Sequence, residues 1–199
     1  MIRALQLAAR GRRTARPNPM VGAVVVRDDV VVGEGWHKRA GGDHAEVEAL
    51  RAAGGNCKGA TVYVSLEPCS HHGRTPPCTQ ALIAAGVTRV VAAMVDPNPA
   101  VAGSGLADLS AAGIEVASGL LESEAAELNR GFVKRMQCGK PWVTLKIAAS
   151  LDGATAMASG ESQWITGPGA RADVHRFRAE SGAVMTGVGT VIADDPRMT

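Results

Sequence analysis

The sequence predicts an α/β fold in which helices cover both faces of a mixed sheet. Short valine-rich runs of strand length alternate with segments of helical periodicity as far as about residue 139. Glycine residues or proline pairs stand between most of these segments, where helices and strands commonly end. Because strands that alternate with helices pack in layers, we expect one sheet with helices on its two sides.

The elements up to residue 139 are a first helix followed by the order β-β-α-β-α-β-α-β-α. Asp28-Asp29 is predicted to join the first two strands as a hairpin, and Gly54-Gly55 and Gly86 are predicted to end helices. The predicted helices cover residues 1–13, 44–53, 78–85, 104–112 and 122–138, and the predicted strands cover residues 21–26, 30–34, 61–66, 89–95 and 114–117.

A second unit is predicted after Gly139-Lys140-Pro141, which has the composition of a hinge. Its predicted elements are a strand over 142–148, a turn at Asp152-Gly153, a helix over 168–180 and a strand over 183–186. Because a stable sheet normally needs more strands than these two, this unit is predicted to be incomplete. We therefore expect one domain over residues 1–139 and the N-terminal portion of another over residues 141–199.

Composition and charge exclude several classes of function. Of the residues, 46% are hydrophobic and 3% aromatic, so valine and alanine must fill most of the core. A formal net charge of +2 gives no reason to expect a nucleic-acid partner. No apolar run approaches the roughly 20 residues of a membrane span, and residues 1–13 are interpreted as a covering helix rather than a transit peptide. Four cysteines favour reduced thiols or a metal over disulfides. We expect a cytoplasmic homo-oligomer with no membrane partner.

The clearest chemistry lies in His44-Ala45-Glu46, Pro68-Cys69 and Cys78. One imidazole and two thiolates can hold a zinc ion and leave its fourth position for water. Residues two apart diverge on a helix, so His44 can bind the metal while Glu46 reaches over the open position. The pattern H-x-E, then P-C, then C is typical of zinc-dependent nucleobase deaminases. The sequence therefore predicts His44, Cys69 and Cys78 as zinc ligands and Glu46 as the catalytic proton carrier.

Other interpretations of these residues stay open. His71 or His72 could supply a fourth ligand, and the zinc would then staple a non-catalytic domain. The metal chemistry would also serve a deaminase of nucleosides or of nucleic-acid bases, although few aromatic residues are present to stack on bases. The spare Cys57 and Cys138 are interpreted as packing residues.

The two cysteines are separated by eight residues, 70–77, rather than by the more common two. This loop carries His71, His72 and Arg74 close to the predicted metal. These side chains are suitable donors to a ribose phosphate. On composition alone, they would equally suit a solvated polar loop.

Several stretches along the whole chain match one family. They are 17–22 (PNPMVG), 33–37 (GEGWH), 44–46 (HAE), 67–78 (EPCSHHGRTPPC), 96–99 (DPNP), 150–153 (SLDG), 159–166 (SGESQWIT) and 193–196 (ADDP). With them the chain resembles the bifunctional riboflavin-biosynthesis deaminase/reductase family. The resemblance implies a cytidine-deaminase-like first domain and a partial dihydrofolate-reductase-like α/β second domain.

The same resemblance implies a small phosphorylated pyrimidine as the substrate. This would be 2,5-diamino-6-ribosylamino-pyrimidin-4-one 5′-phosphate, which would lose the ring amino group at C2 to water. Judged by residue type alone, Asn18 between two prolines would be a turn residue, and residues 96–99 would simply end a strand. The substrate-binding residues that the resemblance implies are Asn18, His37 and His71 at the pyrimidine or its sugar, and Arg74, Asp96 and Asn98 at the ribose phosphate.

For the second unit, the resemblance implies reduction of the ribosyl group to a ribityl chain by NADPH. By residue type alone, Trp164 is equally compatible with a core position, and Asp194 with a helix end. Because most of such a domain is missing from the predicted elements, we expect the chain to deaminate but not to reduce. The implied cofactor-side residues are Lys146, Ala148, Trp164, Thr190 and Asp194, and the implied substrate-side residues are Ser162, Arg178 and Met198.

Overall fold

The computed structural model describes residues 1–73 and 75–198. By its internal packing the chain divides into a first unit, Met1–Trp142, and a second unit, Val143–Thr199. None of the helices within the described ranges is both long enough and apolar enough to cross a membrane.

A five-stranded mixed sheet lies at the centre of the first unit. β1 pairs antiparallel with β2 and with β3, whereas β3, β4 and β5 run parallel to one another. Asp28 and Asp29 join β1 to β2 with φ values of 50° and 60°, as a two-residue hairpin turn requires. The predicted α/β class with a mixed sheet is confirmed. The strands are β1 (Gly22–Arg27), β2 (Val30–Trp36), β3 (Thr61–Val64), β4 (Arg89–Ala92) and β5 (Glu115–Ser118), in the order β2-β1-β3-β4-β5.

Helices cover both faces of this sheet. They are α1 (Ile2–Ala8), α2 (Ala45–Ala52), α3 (Cys78–Ala84), α4 (Ser104–Ala111), α5 (Glu122–Leu128) and α6 (Arg130–Cys138). On one face α2, α3 and α4 pack against Val25, Val62 and Val90. On the other face Leu7 of α1 packs against Val24, and Ala125 of α5 joins a cluster with Leu66 and Met94. The apolar core is therefore built mostly from valine and alanine, as the composition predicts.

Helix α2 lies unusually close to the sheet because both surfaces carry minimal side chains. A Cβ atom on Gly33 would lie 2.2 Å from the Ala49 carbonyl oxygen, and one on Gly35 would lie 2.4 Å from that of Ala45. Ala45 and Ala49 are fully buried. This close packing fixes the N-terminal end of α2, where His44 precedes the first helical residue.

Two predicted helices of the first unit differ from the observed ones. The predicted helix over residues 1–13 ends as α-helix at Ala8 and continues as the 3₁₀ turn Ala9–Gly11. The predicted helix over residues 122–138 is divided at Asn129, where φ is −107° and ψ is 22°. The buried side chain of Asn129 is hydrogen-bonded to the backbone of Met20, which explains the break.

The second unit contains α7 (Pro168–Glu180), which was predicted, and α8 (Val188–Asp194), which was not. The predicted strands over 142–148 and 183–186 are wrong, because the described part of this unit gives neither segment a strand to pair with. A strand exists only through its ladder of hydrogen bonds, so an apolar alternating sequence without a partner stays irregular.

Candidate active site

Three side chains from separate elements meet at one end of the first unit. His44 is the N-cap residue of α2, Cys69 follows β3, and Cys78 is the first residue of α3. His44 Nδ1 lies 3.5 Å from Cys69 Sγ and 3.2 Å from Cys78 Sγ. The three candidate ligand atoms lie within 4.8 Å of one another. They are a nitrogen and two sulfur donors, the set that suits zinc.

The cluster has three donors, whereas a structural zinc site would need four protein ligands. Within residues 1–73 and 75–198, no fourth histidine, cysteine, aspartate or glutamate joins the group. His71 and His72 are exposed and lie outside it. A tetrahedral ion held by three protein donors keeps one position open, which is the arrangement of catalytic rather than structural zinc.

Backbone hydrogen bonds hold the two cysteines side by side. The N–H of Cys78 donates to Cys69 Sγ at 3.3 Å, and the N–H of Thr79 donates to the Cys69 carbonyl at 3.2 Å. Cys69 therefore lies against the first residues of α3. The N–H groups there stabilise a thiolate.

Hydrogen bonds among the two thiols and the imidazole shift the pKa values of all three groups. A hydrogen bond from Cys78 lowers the pKa of Cys69. The same hydrogen bond, together with burial, raises the pKa of Cys78. The hydrogen bond with Cys69 raises the pKa of His44. A cation would have to displace these protons, so metal binding and deprotonation are coupled here.

Glu46 is a buried carboxyl group beside the cluster. It lies in the first turn of α2, two residues after His44, and is only 3% exposed. Burial raises the pKa of Glu46 to about 7, and its carboxyl group is hydrogen-bonded to Cys78. A carboxyl group with a pKa near 7 can both accept and donate a proton close to neutral pH.

Asn18 and His37 form a hydrogen-bonded pair next to the metal ligands. His37 Nδ1 lies 3.0 Å from the Asp43 carbonyl oxygen and therefore carries the hydrogen. Its Nε2 then accepts from Asn18 Nδ2 at 3.0 Å. The His37 ring also meets the His44 ring edge to face, with centroids 5.4 Å apart. Both nitrogens of His37 have protein partners, so its geometry favours orienting Asn18 and His44 over direct contact with a substrate.

Asp96 and Asn98 lie in the loop after β4 and shape it with their own side chains. Asp96 Oδ1 accepts from the Asn98 N–H at 2.8 Å, and Asn98 Oδ1 accepts from the Ala100 N–H at 3.2 Å. Burial raises the pKa of Asp96, and the hydrogen bond from the Asn98 N–H opposes that shift. Arg74, the other residue predicted at the ribose phosphate, lies outside the described residues.

Most of the residues predicted for the second unit are exposed to solvent. Trp164 is 70% exposed and lies against the Arg171 guanidinium, 4.5 Å from its ring centroid, so it is not a core residue. Arg178 donates to the Arg197 carbonyl, next to Met198. Ala148 is partly buried, and the other predicted residues are exposed: Lys146, Ser162, Thr190 and Asp194.

Two buried polar residues near the site were missed in the sequence. The Glu67 carboxylate accepts backbone hydrogen bonds from Asp96 and from the start of α4. Asn129 Oδ1 accepts from the Met20 N–H at 2.8 Å, and Asn129 Nδ2 donates to the Met20 carbonyl at 2.8 Å. An asparagine in the middle of a helical pattern was an available signal for the second, because its side chain competes with helix formation. Of the spare cysteines, Cys57 is buried as predicted, whereas Cys138 is exposed and the packing role predicted for it is wrong.

Two family models match the chain. Residues 1–94 match the model described as the cytidine and deoxycytidylate deaminase zinc-binding region. Residues 141–199 match the model described as the RibD C-terminal domain. The first match covers His44, Glu46, Cys69 and Cys78, and the second begins two residues before Val143, the start of the second unit.

Several known proteins are similar to this chain, in sequence or in structure, over nearly its whole length. The riboflavin biosynthesis protein RibD of Escherichia coli is 65% identical over 199 residues, covering 100% of this chain and 54% of that protein. The solved structure of Acinetobacter baumannii RibD, form 1, is 59% identical with a TM-score of 0.95, covering 99% of this chain and 55% of that one. A diaminohydroxyphosphoribosylaminopyrimidine deaminase/5-amino-6-(5-phosphoribosylamino)uracil reductase from Thermotoga maritima is 44% identical with a TM-score of 0.93, covering 100% and 57%. The chain thus spans about half the length of the curated relatives it matches.

Proposed function

Because the chain belongs to the RibD family of riboflavin-biosynthesis deaminase/reductases, we propose that its first unit is a zinc-dependent hydrolytic deaminase. The family resemblance predicted from the sequence is confirmed. The observation that most supports the activity is the convergence of His44, Cys69 and Cys78 beside the buried Glu46. The proposed substrate is 2,5-diamino-6-ribosylamino-pyrimidin-4-one 5′-phosphate, and water replaces its C2 amino group.

In this proposal His44, Cys69 and Cys78 hold the zinc. When bound, zinc would supply a Lewis acid that activates water for attack on the ring carbon. Glu46 accepts a proton from the water and passes protons to the ring nitrogen and to the departing amino group. A C–O bond forms, the C–N bond breaks and ammonia leaves, so the water oxygen becomes the C2 carbonyl oxygen. The buried position of Glu46 keeps it next to the reacting atoms.

The remaining predicted residues are proposed to hold the substrate. Asn18, oriented by His37, faces the pyrimidine, and its Oδ1 is free of the hydrogen bond that Nδ2 makes to His37. His71, from the loop between the cysteines, meets the pyrimidine or its sugar. Asp96, Asn98 and Arg74 meet the ribose phosphate. The partial burial of Asn18, Asp96 and Asn98 supports this, since a small ligand needs a surface partly closed from water.

The proposal is favoured over the two alternatives by specific residues. A non-catalytic zinc staple needs a fourth ligand and gives no reason for a buried carboxyl group beside an open position. A deaminase of nucleosides or nucleic-acid bases would share the metal site. The eight-residue loop between the cysteines, with side chains suited to a ribose phosphate, favours the proposed substrate over nucleosides and nucleic-acid bases. Absence of a nucleic-acid partner, a homo-oligomeric state and a cytoplasmic location stay predictions, and the four free cysteines fit the last of these.

For the second unit we propose the N-terminal portion of an NADPH-dependent reductase domain. Its match to the RibD C-terminal domain supports this assignment. The cofactor-side residues Lys146, Ala148, Trp164, Thr190 and Asp194 and the substrate-side residues Ser162, Arg178 and Met198 remain proposals from the family resemblance.

Replacing Glu46 with glutamine tests the proposed deaminase most directly. The amide keeps the shape of the side chain but cannot accept a proton, so ammonia release should fall by about 10²–10⁴-fold. Zinc content, measured by atomic absorption, should stay at the wild-type level because the three ligands are intact. The matched control is Glu48→Gln on the same helix, a partly buried residue paired with Lys38, and this variant should turn over like the wild type. Equal turnover in wild type and Glu46→Gln would support the zinc staple instead.

A further inference from the structure

Glu67 is a buried carboxylate that the proposed reaction does not use. It lies between β3 and the Pro68-Cys69 segment and is only 5% exposed. Among the described residues, no lysine, arginine or histidine forms an ion pair with it. Its charge is met by four backbone N–H groups: those of Asp96 at 3.0 Å and Gly103 at 2.9 Å on Oε2, and those of Gly105 at 2.8 Å and Leu106 at 3.2 Å on Oε1.

These donors belong to the loop that carries Asp96 and Asn98 and to the first turn of α4. A helix usually caps its own first N–H groups with a neighbouring side chain. Here the N-cap residue is Gly103, which has a φ of 79° and no side chain to offer. The cap comes instead from Glu67, more than thirty residues earlier in the chain. A remote cap stabilises α4 and, at the same time, ties its start to the segment that carries Cys69.

Further contacts hold the same two segments together. The Ser104 hydroxyl donates to the Val101 carbonyl, so the Ser70 hydroxyl donates to Ser104 Oγ at 3.0 Å. A Cβ atom on Gly105 would lie only 1.9 Å from the Pro68 carbonyl oxygen. The start of α4 therefore lies directly against Pro68 and Ser70, in the segment that follows Glu67.

We propose that Glu67 is a positioning residue that sets the distance between the metal-binding cysteines and the loop of Asp96 and Asn98. The pyrimidine ring and the ribose phosphate of one substrate must be held by these two segments at once, so a fixed separation lowers the cost of binding. This role rests on the proposed function for the identity of the substrate. The hydrogen bonds to Glu67 do not depend on it.

Glu67→Gln keeps the size of the side chain but replaces one carboxylate oxygen with an NH₂ group. Two of the four backbone N–H groups that donate to Glu67 then face another donor in place of an acceptor. We expect KM for the phosphorylated pyrimidine to rise by about tenfold, because charge-assisted hydrogen bonds that fix the loop are lost. The rate constant kcat should change much less, and zinc should stay bound, because Cys69 is also held by the N–H groups of Cys78 and Thr79. The control is Glu115→Gln on β5, an exposed carboxylate paired with Arg89 on β4, which should leave KM unchanged.

Hydrogen exchange of the same variants separates this proposal from the proposed function. In Glu67→Gln, the amides of Asp96, Gly103, Gly105 and Leu106 should lose protection, while those of α2 should not. If the wild-type chain releases no ammonia, the proposed function fails, and this exchange pattern still decides whether Glu67 holds the loop. Unchanged exchange at these amides, or an unchanged KM despite faster exchange, would overturn the positioning role. If Glu67→Gln does not fold, Glu67→Asp, which keeps the charge but withdraws it by one methylene, carries the same expectations and the same contrary outcomes.

Discussion

The two units of the chain have similar sequence patterns but different packing. The first unit buries apolar side chains completely, among them Leu7, Leu82 and Val90. In the described part of the second unit no residue is fully buried, and Leu145 and Met185 are 80% and 96% exposed. Apolar periodicity predicts which face of an element will be buried. It does not supply the surface against which that face packs.

Polar groups show the same contrast. In the first unit, buried polar side chains such as Glu67 and Asn129 are hydrogen-bonded to backbone groups from distant segments. In the second unit, hydrogen bonds of side chains such as Ser150 join residues close in sequence and exposed to solvent. Long-range polar contacts define one arrangement of segments, whereas local ones form in any arrangement. The first unit therefore has the fixed geometry that catalysis needs.

The largest expected difference between the units is in activity. When the proposed substrate is added, the chain should release ammonia. When the deaminated product is added together with NADPH, the absorbance of NADPH should not fall. The physical reason is that Lys146, Trp164 and Thr190 are exposed, whereas a cofactor site must be partly closed from water. The Thermotoga maritima deaminase/reductase, of which this chain covers 57%, serves as the positive control for reduction. If this chain oxidised NADPH faster with the deaminated product than without it, the second unit would be more ordered than its packing indicates.

A matched pair of leucine substitutions measures the packing difference in free energy. Leu82 is fully buried in the core of the first unit, and Leu145 is 80% exposed in the second. Leu82→Ala should lower the free energy of unfolding by about 2–5 kcal/mol, because it removes buried methyl groups and leaves a cavity. Leu145→Ala should change it by no more than about 0.5 kcal/mol. Urea unfolding with zinc present gives both values, and equal costs would contradict the assignment of a core to the first unit alone.

Local patterns predicted most of the first unit and the centre of its site. The hairpin at Asp28-Asp29 and the strand positions follow from residue types in sequence order, and the α/β class is confirmed. His44, Cys69 and Cys78 converge as their spacing predicts. These features could be predicted because each depends on a short stretch of sequence with a distinctive residue type.

The features that could not be predicted depend on distant partners. Asn129 meets Met20 across 109 positions of sequence, and Glu67 meets Gly105 across 38. No local pattern indicates which backbone group a buried side chain will reach. The predictions of strands over 142–148 and 183–186 were wrong for the same reason. A strand needs a partner strand, and the sequence of one segment does not indicate whether a partner is present. Helix α8 was not predicted because Gly189, in its first turn, lowers the helix propensity.

The smallest expected effect compares one long-range hydrogen-bonding side chain with one local one. Asn129→Ala removes both hydrogen bonds to Met20 and leaves a partly buried N–H and carbonyl without their protein partner, which should cost about 1–3 kcal/mol of unfolding free energy. Ser150→Ala removes exposed bonds to Asp152 and Ala154, and water replaces them, so it should cost no more than about 0.5 kcal/mol. Urea midpoints of the two variants check this. Because Met20 lies two residues after Asn18, Asn129→Ala should also raise KM for the proposed substrate. A loss of stability with an unchanged KM would show that Asn18 keeps its position without Asn129.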